Sequence, residues 1–282
     1  MTGLCFYLGT HQPHWLESPA LPRDVHLFVS HRRLAGRTRL PRARVSWALD
    51  SGGFSELALY GGWRTGPGEY VAAVHRYDKQ IGSLGWAAPQ DWMCEPFMLA
   101  KTGLTVEEHQ RRTVANFLEL RDRWQRLDPS CELRAMPEHC VFMPVLQGWT
   151  LLDYLRCARM YAEAGINLSR YPLVGVGSVC RRQATGEIGE IFEALSSRGI
   201  AMHGFGVKKH GLRLYGHLLS SADSMAWSFE ARRAARLDDC SGHRNCANCL
   251  RYALRWREET LASLGDPAAP RQAVLPLWEV AA

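Results

Sequence analysis

The sequence predicts an α/β fold, a (β/α)₈ TIM barrel with a zinc-binding insertion near its C-terminus. Three observations support this fold class: the chain has 282 residues, it contains eight short apolar segments, and the later segments alternate with helical patterns. The length suits one barrel of about 250 residues. We expect a single domain over 1–282, with a zinc-binding segment at 238–256 and a Pro/Ala-rich tail at 265–282.

Eight segments have the length and apolar character of buried strands. Most are continuously apolar rather than alternating, which is typical of a parallel sheet covered on both faces. An open doubly wound sheet is the alternative, but eight strands with intervening helices fit a closed barrel better. The segments are LCFYLGT (4–10), VHLFVS (25–30), VSWALDSG (45–52), GWAAPQD (85–91), CVFMPVLQG (140–148), PLVGVGSV (172–179), MHGFGVK (202–208) and SADSMAWS (221–228).

Helical patterns separate the later strand segments. Residues 105–124 begin with Thr105 three positions before Glu108, a spacing typical of a capping box at a helix N-terminus. Residues 150–166 begin with Thr150 and Asp153 at the same spacing. Helical segments at 186–200 and 210–219 complete the alternation.

Composition excludes several classes of protein. Hydrophobic residues make up 46% and charged residues 22% of the chain, which is ordinary for a globular enzyme. The sequence has no run of about 20 apolar residues that would predict a membrane span, and its N-terminus lacks the pattern of a signal peptide. Six of the nine cysteines are scattered singly, so we expect reduced thiols and a cytoplasmic location.

An arginine-rich segment follows the second strand. Residues 31–44, HRRLAGRTRLPRAR, hold six arginines and no acid, within a chain of net charge +6. Such a run is either a solvated loop or a patch that binds a polyanion, since arginine pairs with phosphate in a bidentate geometry. In a barrel this loop would lie at the mouth, which favours a nucleic-acid substrate.

Polar side chains lie at the ends of several predicted strands. Asp50, Asp91 and Gln147 each close a strand, and Gly177-Ser178 and Lys208 follow later ones. Because the carboxyl ends of barrel strands converge on one mouth, these residues would meet where active sites are built.

Each of these polar motifs also has a purely structural interpretation. Asp50-Ser51-Gly52 can be a tight turn in which the glycine supplies a positive φ, or it can aim a carboxylate into the mouth. Asp223 is an acid inside an otherwise strand-like segment, and buried carboxylates are rare unless they are paired or functional. A functional role for Asp223 is therefore favoured.

Amides and bare backbone could recognise a purine. The Gln147 side chain, followed by Gly148, can both donate to and accept from a purine edge. Gly175 and Gly177, with Ser178, offer backbone N–H groups that are not covered by large side chains.

A cysteine-rich cluster near the C-terminus has the spacing of a structural metal site. Cys240, His243, Cys246 and Cys249 place three thiolates and one imidazole within ten residues, which matches a closed Cys₃His zinc site. We expect one structural Zn²⁺. A histidine from upstream is the alternative to His243 as fourth ligand.

In their order along the chain, these motifs resemble those of the tRNA-guanine transglycosylase superfamily over about residues 5–260. The matching segments are DSGGF (50–54), DWMC (91–94), VLQG (145–148), VGVGS (174–178), HGFGVK (203–208), SADSMAWS (221–228) and the cysteine cluster. The resemblance implies a barrel enzyme that exchanges one base for another, a pentosyltransferase.

The resemblance also implies residue roles. Asp223 would be the nucleophile that attacks C1′ and forms a covalent intermediate, and Asp50 the general acid/base. Asp91 would accept from the guanine N1–H and 2-amino groups, while Gln147 and the backbone near Gly175 and Gly177 would meet O6. The predicted base pocket is completed by Gly148, Ser178, Ser51 and Gly52.

The closer resemblance is to the shorter branch, the 7-deazapurine-in-DNA transglycosylases of phages and bacteria. It lies in FYLGTHQPHWL (6–16), AAPQDWMCEP (87–96), GSVCRR (177–182) and SADSMAWS. The chain lacks the Pro-Thr-Arg that follows the nucleophile in tRNA enzymes, its zinc motif is compact, and no added RNA-binding domain fits. DNA is therefore the expected partner rather than tRNA, with a 7-deazaguanine base such as preQ0. The residues expected to hold the DNA backbone are Arg32, Arg33, Arg37, Arg39, Arg181 and Arg182.

Three alternatives remain beside this interpretation. The chain could act on tRNA, or it could transfer a 7-deazaguanine glycosyl group on a free nucleotide. A non-catalytic zinc-containing nucleic-acid-binding protein is the third, and it would bind DNA regardless of Asp50 and Asp223. A homodimer and an accessory protein are both compatible with each of them.

Overall fold

A computed structural model describes residues 3–127, 140–180, 182 and 185–264 of the chain. The predicted tail at 265–282 and the predicted DNA contact Arg181 lie outside the described residues. None of the helices in the described ranges combines the length and apolar character that a bilayer crossing requires.

Eight parallel strands form one sheet in the order β4-β3-β2-β1-β8-β7-β6-β5. Each lies inside one of the eight apolar segments, apart from a one-residue extension of β4 at its start, so the predicted strands and TIM-like fold class are confirmed. The strands are β1 (Cys5–Thr10), β2 (His26–Ser30), β3 (Trp47–Asp50), β4 (Leu84–Ala87), β5 (Val145–Leu146), β6 (Val174–Val176), β7 (Met202–Gly204) and β8 (Ser221–Ser224).

The two ends of this sheet approach each other. Ala87, the last residue of β4, forms a parallel bridge with Phe142, just before β5. Ala87 N donates to Val141 O at 2.8 Å, and Met143 N donates to Ala87 O at 3.3 Å. These bonds join the edge strands and curl the sheet into a barrel, which excludes the open doubly wound alternative.

Helices cover the outside of the sheet. In the described ranges they are α1 (His31–Leu34), α2 (Gly53–Tyr60), α3 (Pro67–Ile81), α4 (Pro96–Thr102), α5 (Val106–Leu127), α6 (Leu151–Glu163), α7 (Gly186–Ser196), α8 (Lys209–Tyr215), α9 (Ala226–Ala231) and α10 (Leu250–Ala262). Short 3₁₀ helices lie at Pro13–Glu17, Leu168–Arg170 and Gly216–Leu218. The capping box predicted at the start of α6 is present, with Thr150 Oγ1 accepting from Asp153 N and Asp153 bonding back to Thr150 N.

The arginine-rich segment is not wholly a loop. Its first four residues form α1, a single helical turn that carries Arg32 and Arg33 on an exposed face. The buried residues His31 and Leu34 fix this turn, because His31 Nδ1 lies 3.0 Å from the Tyr77 hydroxyl on α3.

Alternate residues of β1 to β5 belong to two different apolar cores, as expected for a closed sheet. Outward-facing residues such as Leu8, Val29 and Leu49 pack against the helices. Inward-facing residues, among them Tyr7, Phe28 and Trp86, form a second cluster inside the barrel. The inner cluster fills the barrel below the carboxyl ends of the strands and so forms the floor of the mouth.

Candidate active site

A cavity of about 770 Å³ lies at the carboxyl ends of the strands. Four polar residues predicted from separate parts of the sequence line it together: Asp50, Asp91, Gln147 and Asp223. The predicted residues Ser51, Gly177, Ser178, Arg32 and Arg33 line it as well. The barrel therefore brings most of the predicted site into one concave surface.

Asp223 occupies the third position of β8, opposite Tyr7 of β1 in the sheet register. It is only 7% exposed although it faces the cavity. Its Oδ1 accepts from Gly206 N at 2.9 Å and lies 3.3 Å from His203 Nε2. In the described part of the chain both hydrogen bonds of Asp223 fall on Oδ1, so this carboxylate oxygen is held in place.

His203 is the partner that sequence reasoning missed. It lies on β7, is fully buried, and its Nδ1 lies 2.8 Å from Ser221 Oγ. The rings of Trp86 and Phe205 surround it, each with a centroid 4.8 Å from the imidazole. The sequence offered one signal for this pair. His203 is a histidine inside one strand segment, and Asp223 is an acid inside the next.

Asp50 ends β3 beside the cavity. Its Oδ1 accepts from Gly52 N at 3.1 Å, and Gly52 has the positive φ of 81° that the turn requires. Burial raises the pKa of the Asp50 carboxyl, hydrogen bonds from Gly52 and Ser30 oppose the rise, and the charge of Asp223 adds to it. The raised pKa makes it easier for the Asp50 carboxyl to hold a proton than for an ordinary aspartate.

The segment from Asp91 to Glu95 crosses the mouth without regular secondary structure. Backbone contacts fix it: Trp92 N donates to Thr113 Oγ1 at 2.9 Å, and His109 Nδ1 lies 2.7 Å from Met93 O. Both partners are on α5, so this long helix sets the position of the Asp91 carboxylate.

A short hydrogen bond joins Asp91 and Gln147 across the cavity. Gln147 Nε2 donates to Asp91 Oδ2 at 2.5 Å. The pKa of Asp91 is raised to about 7, chiefly by burial; the Gln147 hydrogen bond opposes the rise, and the charges of Asp50 and Glu95 add to it. Asp91 can therefore change its protonation state near neutral pH.

Ser178 and Glu95 extend this contact into a chain of polar groups. Ser178 Oγ lies 2.7 Å from Gln147 Oε1 and 2.9 Å from Glu95 Oε2, and it accepts from Cys94 N at 2.8 Å. Ser178 has a φ of 57°, a strained conformation for a residue with a side chain. Glu95 is buried and lines the cavity, and sequence reasoning did not single it out.

Gly177 allows the side chain of Gln147 to lie close to the backbone directly after β6. A Cβ atom there would lie 2.2 Å from Gln147 Nε2, so only glycine lets the Gln147 amide lie across this position. Gly148 has a different neighbour: a Cβ atom would meet Asp153 Cβ at 2.8 Å, at the start of α6. Gly148 therefore packs the helix behind the site and does not line the cavity.

The predicted use of backbone N–H groups for O6 needs correction. Gly175 N donates to Pro144 O at 2.8 Å and Gly177 N donates to Leu146 O at 3.0 Å, both within the sheet. Because each N–H is already used by the neighbouring strand, neither is available to a bound base. Gly175 instead faces the inner core, where a Cβ atom would meet Phe205 and Val145.

Apolar side chains form the remaining walls. Phe28, Met93 and Phe205 line the cavity between the polar groups, and Phe54 stands at its rim, 45% exposed. Flat apolar walls with a few convergent polar groups are typical of a pocket for a planar ligand.

The predicted DNA-contacting arginines differ in their placement. Arg32 and Arg33 line the cavity, and Arg37 lies next to it with its Nε donating to Arg33 O at 2.7 Å. Arg39 is exposed on the following loop, outside this cavity. The expectation for Arg182 needs correction, since its guanidinium stacks 4.0 Å over the Trp149 ring, bonds to Trp149 O and pairs with Glu187, with a side chain only 10% exposed.

The four predicted metal ligands come together. One ligand atom from each of Cys240, His243, Cys246 and Cys249 lies within 4.8 Å of every other. The Sγ atoms of Cys240 and Cys249 are 3.7 Å apart, which matches two sulfurs each about 2.3 Å from a tetrahedral zinc. The cluster can therefore bind a metal ion.

The family model for DpdA, described as DeoxyPurine in DNA protein A, matches residues 3–282. No curated protein matches the chain. The match spans the barrel strands, the four polar residues of the cavity and the cysteine cluster.

Proposed function

We propose that this chain, which belongs to the DpdA family of 7-deazapurine-in-DNA transglycosylases related to tRNA-guanine transglycosylase, replaces guanine in DNA with a 7-deazaguanine base. Family membership makes the chain a transglycosylase-type enzyme. The proposed incoming base is preQ0 or a derivative, and the proposed intermediate is a covalent aspartyl-deoxyribose. The observation that carries this proposal is the convergence of Asp223, Asp50, Asp91 and Gln147 on one cavity.

In the first half-reaction, Asp223 attacks C1′ of the target deoxyribose. We assign the attack to Oδ2, because Oδ1 is held by Gly206 and His203. The C1′–N9 bond breaks, its electron pair passes to N9, and a proton from Asp50 neutralises the leaving base. The raised pKa of Asp50 supports this role, since the carboxyl must hold a proton before it can donate one.

The second half-reaction reverses the first with a new base. N9 of the incoming base gives its proton to Asp50 and attacks C1′, and the bond between C1′ and Asp223 breaks. Two displacements at one carbon retain its configuration, as in retaining glycoside hydrolysis. Both carboxyls return to their starting protonation states.

The base is recognised by the hydrogen-bonded polar side chains across the cavity, which are Asp91, Gln147, Ser178 and Glu95. Asp91, when ionised, accepts from the N1–H and 2-amino groups of guanine or a 7-deazaguanine. Gln147 turns its remaining amide N–H toward O6. Ser178 contacts the Gln147 amide oxygen, and Glu95 in turn contacts Ser178. Leaving and incoming bases share this Watson–Crick edge, so one pocket serves both.

The target nucleotide must leave its base stack to reach this cavity, at a cost of a few kcal/mol. Arg32 and Arg33 stand at the rim, where they can pair with the flanking phosphates. The Cys₃His cluster holds one Zn²⁺ in the proposal. With four protein ligands the ion has no open position for substrate, so it supports the fold of the loop.

The test is an exchange assay. The purified chain is incubated with DNA that carries radiolabelled guanine and with excess preQ0, and release of labelled guanine is followed. Matched tRNA is the parallel substrate, and Asp223→Asn is the matched variant because it keeps the shape of the side chain. Release from DNA alone, absent in the variant, is expected.

The same assay separates the alternatives. Release from tRNA would support the tRNA enzyme instead. No release from either polymer would contradict the proposed exchange and favour a free-nucleotide substrate. DNA binding that does not change in Asp50→Ala or Asp223→Asn, together with no release, would support the non-catalytic binding protein.

A further inference from the structure

A second cavity, of about 840 Å³, opens beside the candidate active site. The two cavities share His11, Arg32, Arg33 and Met225 in their walls. A ligand that occupies the active-site cavity and extends past its rim would therefore enter this groove. We call the second cavity the phosphate groove.

The side chains of the phosphate groove carry positive charge. Arg32, Arg33, Arg37 and Arg232 line it, and no aspartate or glutamate of the described ranges does so. Arg33 and Arg232 are exposed. Arg232 follows α9 and is nine residues after Asp223, so the chain segment that leaves β8 brings it back to the mouth. Such a surface is suited to a phosphodiester backbone.

The metal-binding loop forms another wall of the groove. Asn248 lies between the ligands Cys246 and Cys249, and its Oδ1 accepts from His11 Nε2 at 2.7 Å. His11 follows β1 and stacks on Trp227 with ring centroids 6.2 Å apart. The loop thus contacts the barrel mouth directly, through a side chain that faces the groove.

Two further bonds fix this wall. Ser228 Oγ donates to Ala247 O at 2.9 Å, so α9 holds the loop from below. Trp227 Nε1 donates to Gly9 O at 2.8 Å, which ties α9 to the end of β1. The position of Asn248 therefore depends on the folded loop, and the folded loop depends on its four ligands.

We propose that the phosphate groove binds the DNA phosphates next to the target nucleotide, and that the Cys₃His loop supplies one wall of this binding site. The inference rests on the proposed function for the identity of the strand. It assigns new DNA contacts to Arg232, His11 and Asn248. The metal-binding loop would then contact DNA in addition to binding the metal ion. A free base has no phosphate, so its binding does not require the groove.

The test measures binding separately from exchange. A fluorescent single-stranded oligonucleotide containing guanine is titrated with the metal-loaded chain at several salt concentrations, and the binding of free preQ0 is measured by calorimetry. Arg232→Ala is expected to weaken DNA binding by about tenfold and to reduce the slope of log affinity against log salt by about one. The affinity for preQ0 should not change.

Arg255→Ala is the matched control. Arg255 is an exposed arginine on α10, paired with Glu259 at 2.9 Å, and it lines neither cavity. The control removes the same charge and should leave the salt slope unchanged. Equal slopes for Arg232→Ala, Arg255→Ala and the native chain would overturn the proposal.

Asn248→Ala tests the wall itself without removing a metal ligand. DNA binding should weaken severalfold while metal content, measured by elemental analysis, and preQ0 affinity stay the same. Unchanged DNA binding would show that the loop is not a wall of the site. Failure of the groove and failure of the proposed reaction remain distinct, because release of guanine with unchanged salt slopes overturns only the groove, and altered slopes without guanine release overturn only the reaction.

Discussion

His203 Nε2 lies 3.3 Å from Asp223 Oδ1, on adjacent strands and beneath the mouth of the barrel. Ser221 Oγ lies 2.8 Å from His203 Nδ1; when the hydroxyl donates to that nitrogen, the imidazole proton is on Nε2 and faces the carboxylate. The histidine is sealed by aromatic rings and cannot reach a substrate. We therefore regard it as a positioning residue for the nucleophile.

Replacing His203 should lower the rate of exchange without affecting the binding of DNA. His203→Phe preserves the aromatic packing but removes the donor, and a hydrogen bond to a charged group contributes about 1.5–3 kcal/mol. The expected result is a fall in kcat of about tenfold to a hundredfold with an unchanged KM for DNA. Steady-state kinetics on labelled DNA measure both values.

His203→Gln is the matched control, because its amide can still donate toward Asp223. It should recover part of the lost kcat. If His203→Phe exchanges bases at the native rate, or if both variants lose the same activity through a raised KM, then His203 does not position Asp223.

Recognition of the base should depend on pH through Asp91. Its pKa is raised to about 7, chiefly by burial, and only the ionised carboxylate can accept from both N1–H and the 2-amino group. The affinity for preQ0 should therefore rise as the pH increases through about 7 and fall by roughly tenfold per unit below it. Calorimetric titration between acidic and mildly basic pH measures this dependence.

Glu95→Gln supplies the control for this profile. Glu95 raises the pKa of Asp91 through its charge, so its removal should move the midpoint to lower pH while preserving a hydrogen-bonding group beside Ser178. A midpoint that stays in place in Glu95→Gln, or a flat profile in the native chain, would contradict the assignment of Asp91 as the titrating group.

The same shift has the opposite consequence for stability. Because the pKa of this carboxyl is higher in the folded state than in the unfolded state, its protonated form stabilises the fold. This contribution to the free energy of unfolding is complete below the pKa of the unfolded state and is lost as the pH rises through about 7. Asp91→Asn removes this dependence. Its melting temperature, relative to that of the native chain, should be higher at mildly basic pH than at acidic pH.

The strands and the polar residues at their ends could be predicted because each signal is local. A buried parallel strand needs only a short apolar run, and Asp50 or Gln147 needs only to follow one. The helices between β3 and β4 were harder to predict. α2 begins at Gly53, directly after the residues Asp50-Ser51-Gly52 that predict a turn. α3 follows a Gly/Pro-rich stretch that also fits a loop.

The partners of the site residues depend on strand register and could not be predicted. His203 meets Asp223 only because β7 and β8 pair with His203 opposite Ser221. Glu95 meets Ser178 across 83 residues of chain. The N–H groups of Gly175 and Gly177 are also used by backbone hydrogen bonds, whereas the absence of side chains at these glycines predicted that the N–H groups would be free.

Gly177→Ala should damage base recognition more than folding. The added methyl group would lie 2.2 Å from Gln147 Nε2, so the amide must rotate away from Asp91. We expect the affinity for preQ0 to fall by at least tenfold while the melting temperature changes by only a few degrees. Gly36→Ala on the exposed arginine-rich loop, where a Cβ atom meets nothing within 4 Å but φ is +74°, is the control for loss of glycine itself. Equal preQ0 affinities in the two variants would contradict the close packing of Gln147 over Gly177.

Loss of a cysteine ligand should remove the metal and unfold the loop that carries it. Cys246 is fully buried against Ala231 and Cys240, and a Cys246→Ser variant keeps the side-chain shape but replaces the thiolate that zinc prefers. Elemental analysis of the native chain should give about one zinc per chain, and the variant should retain little. Its DNA affinity should fall with its metal content, since Asn248 is part of the same loop.

Cys5→Ser is the control. Cys5 is in β1 and outside the cluster, so this variant should keep its metal content and its DNA affinity. Full zinc content in Cys246→Ser would show that the ligand set is different, and retained DNA affinity in a zinc-free variant would separate the loop from the phosphate groove.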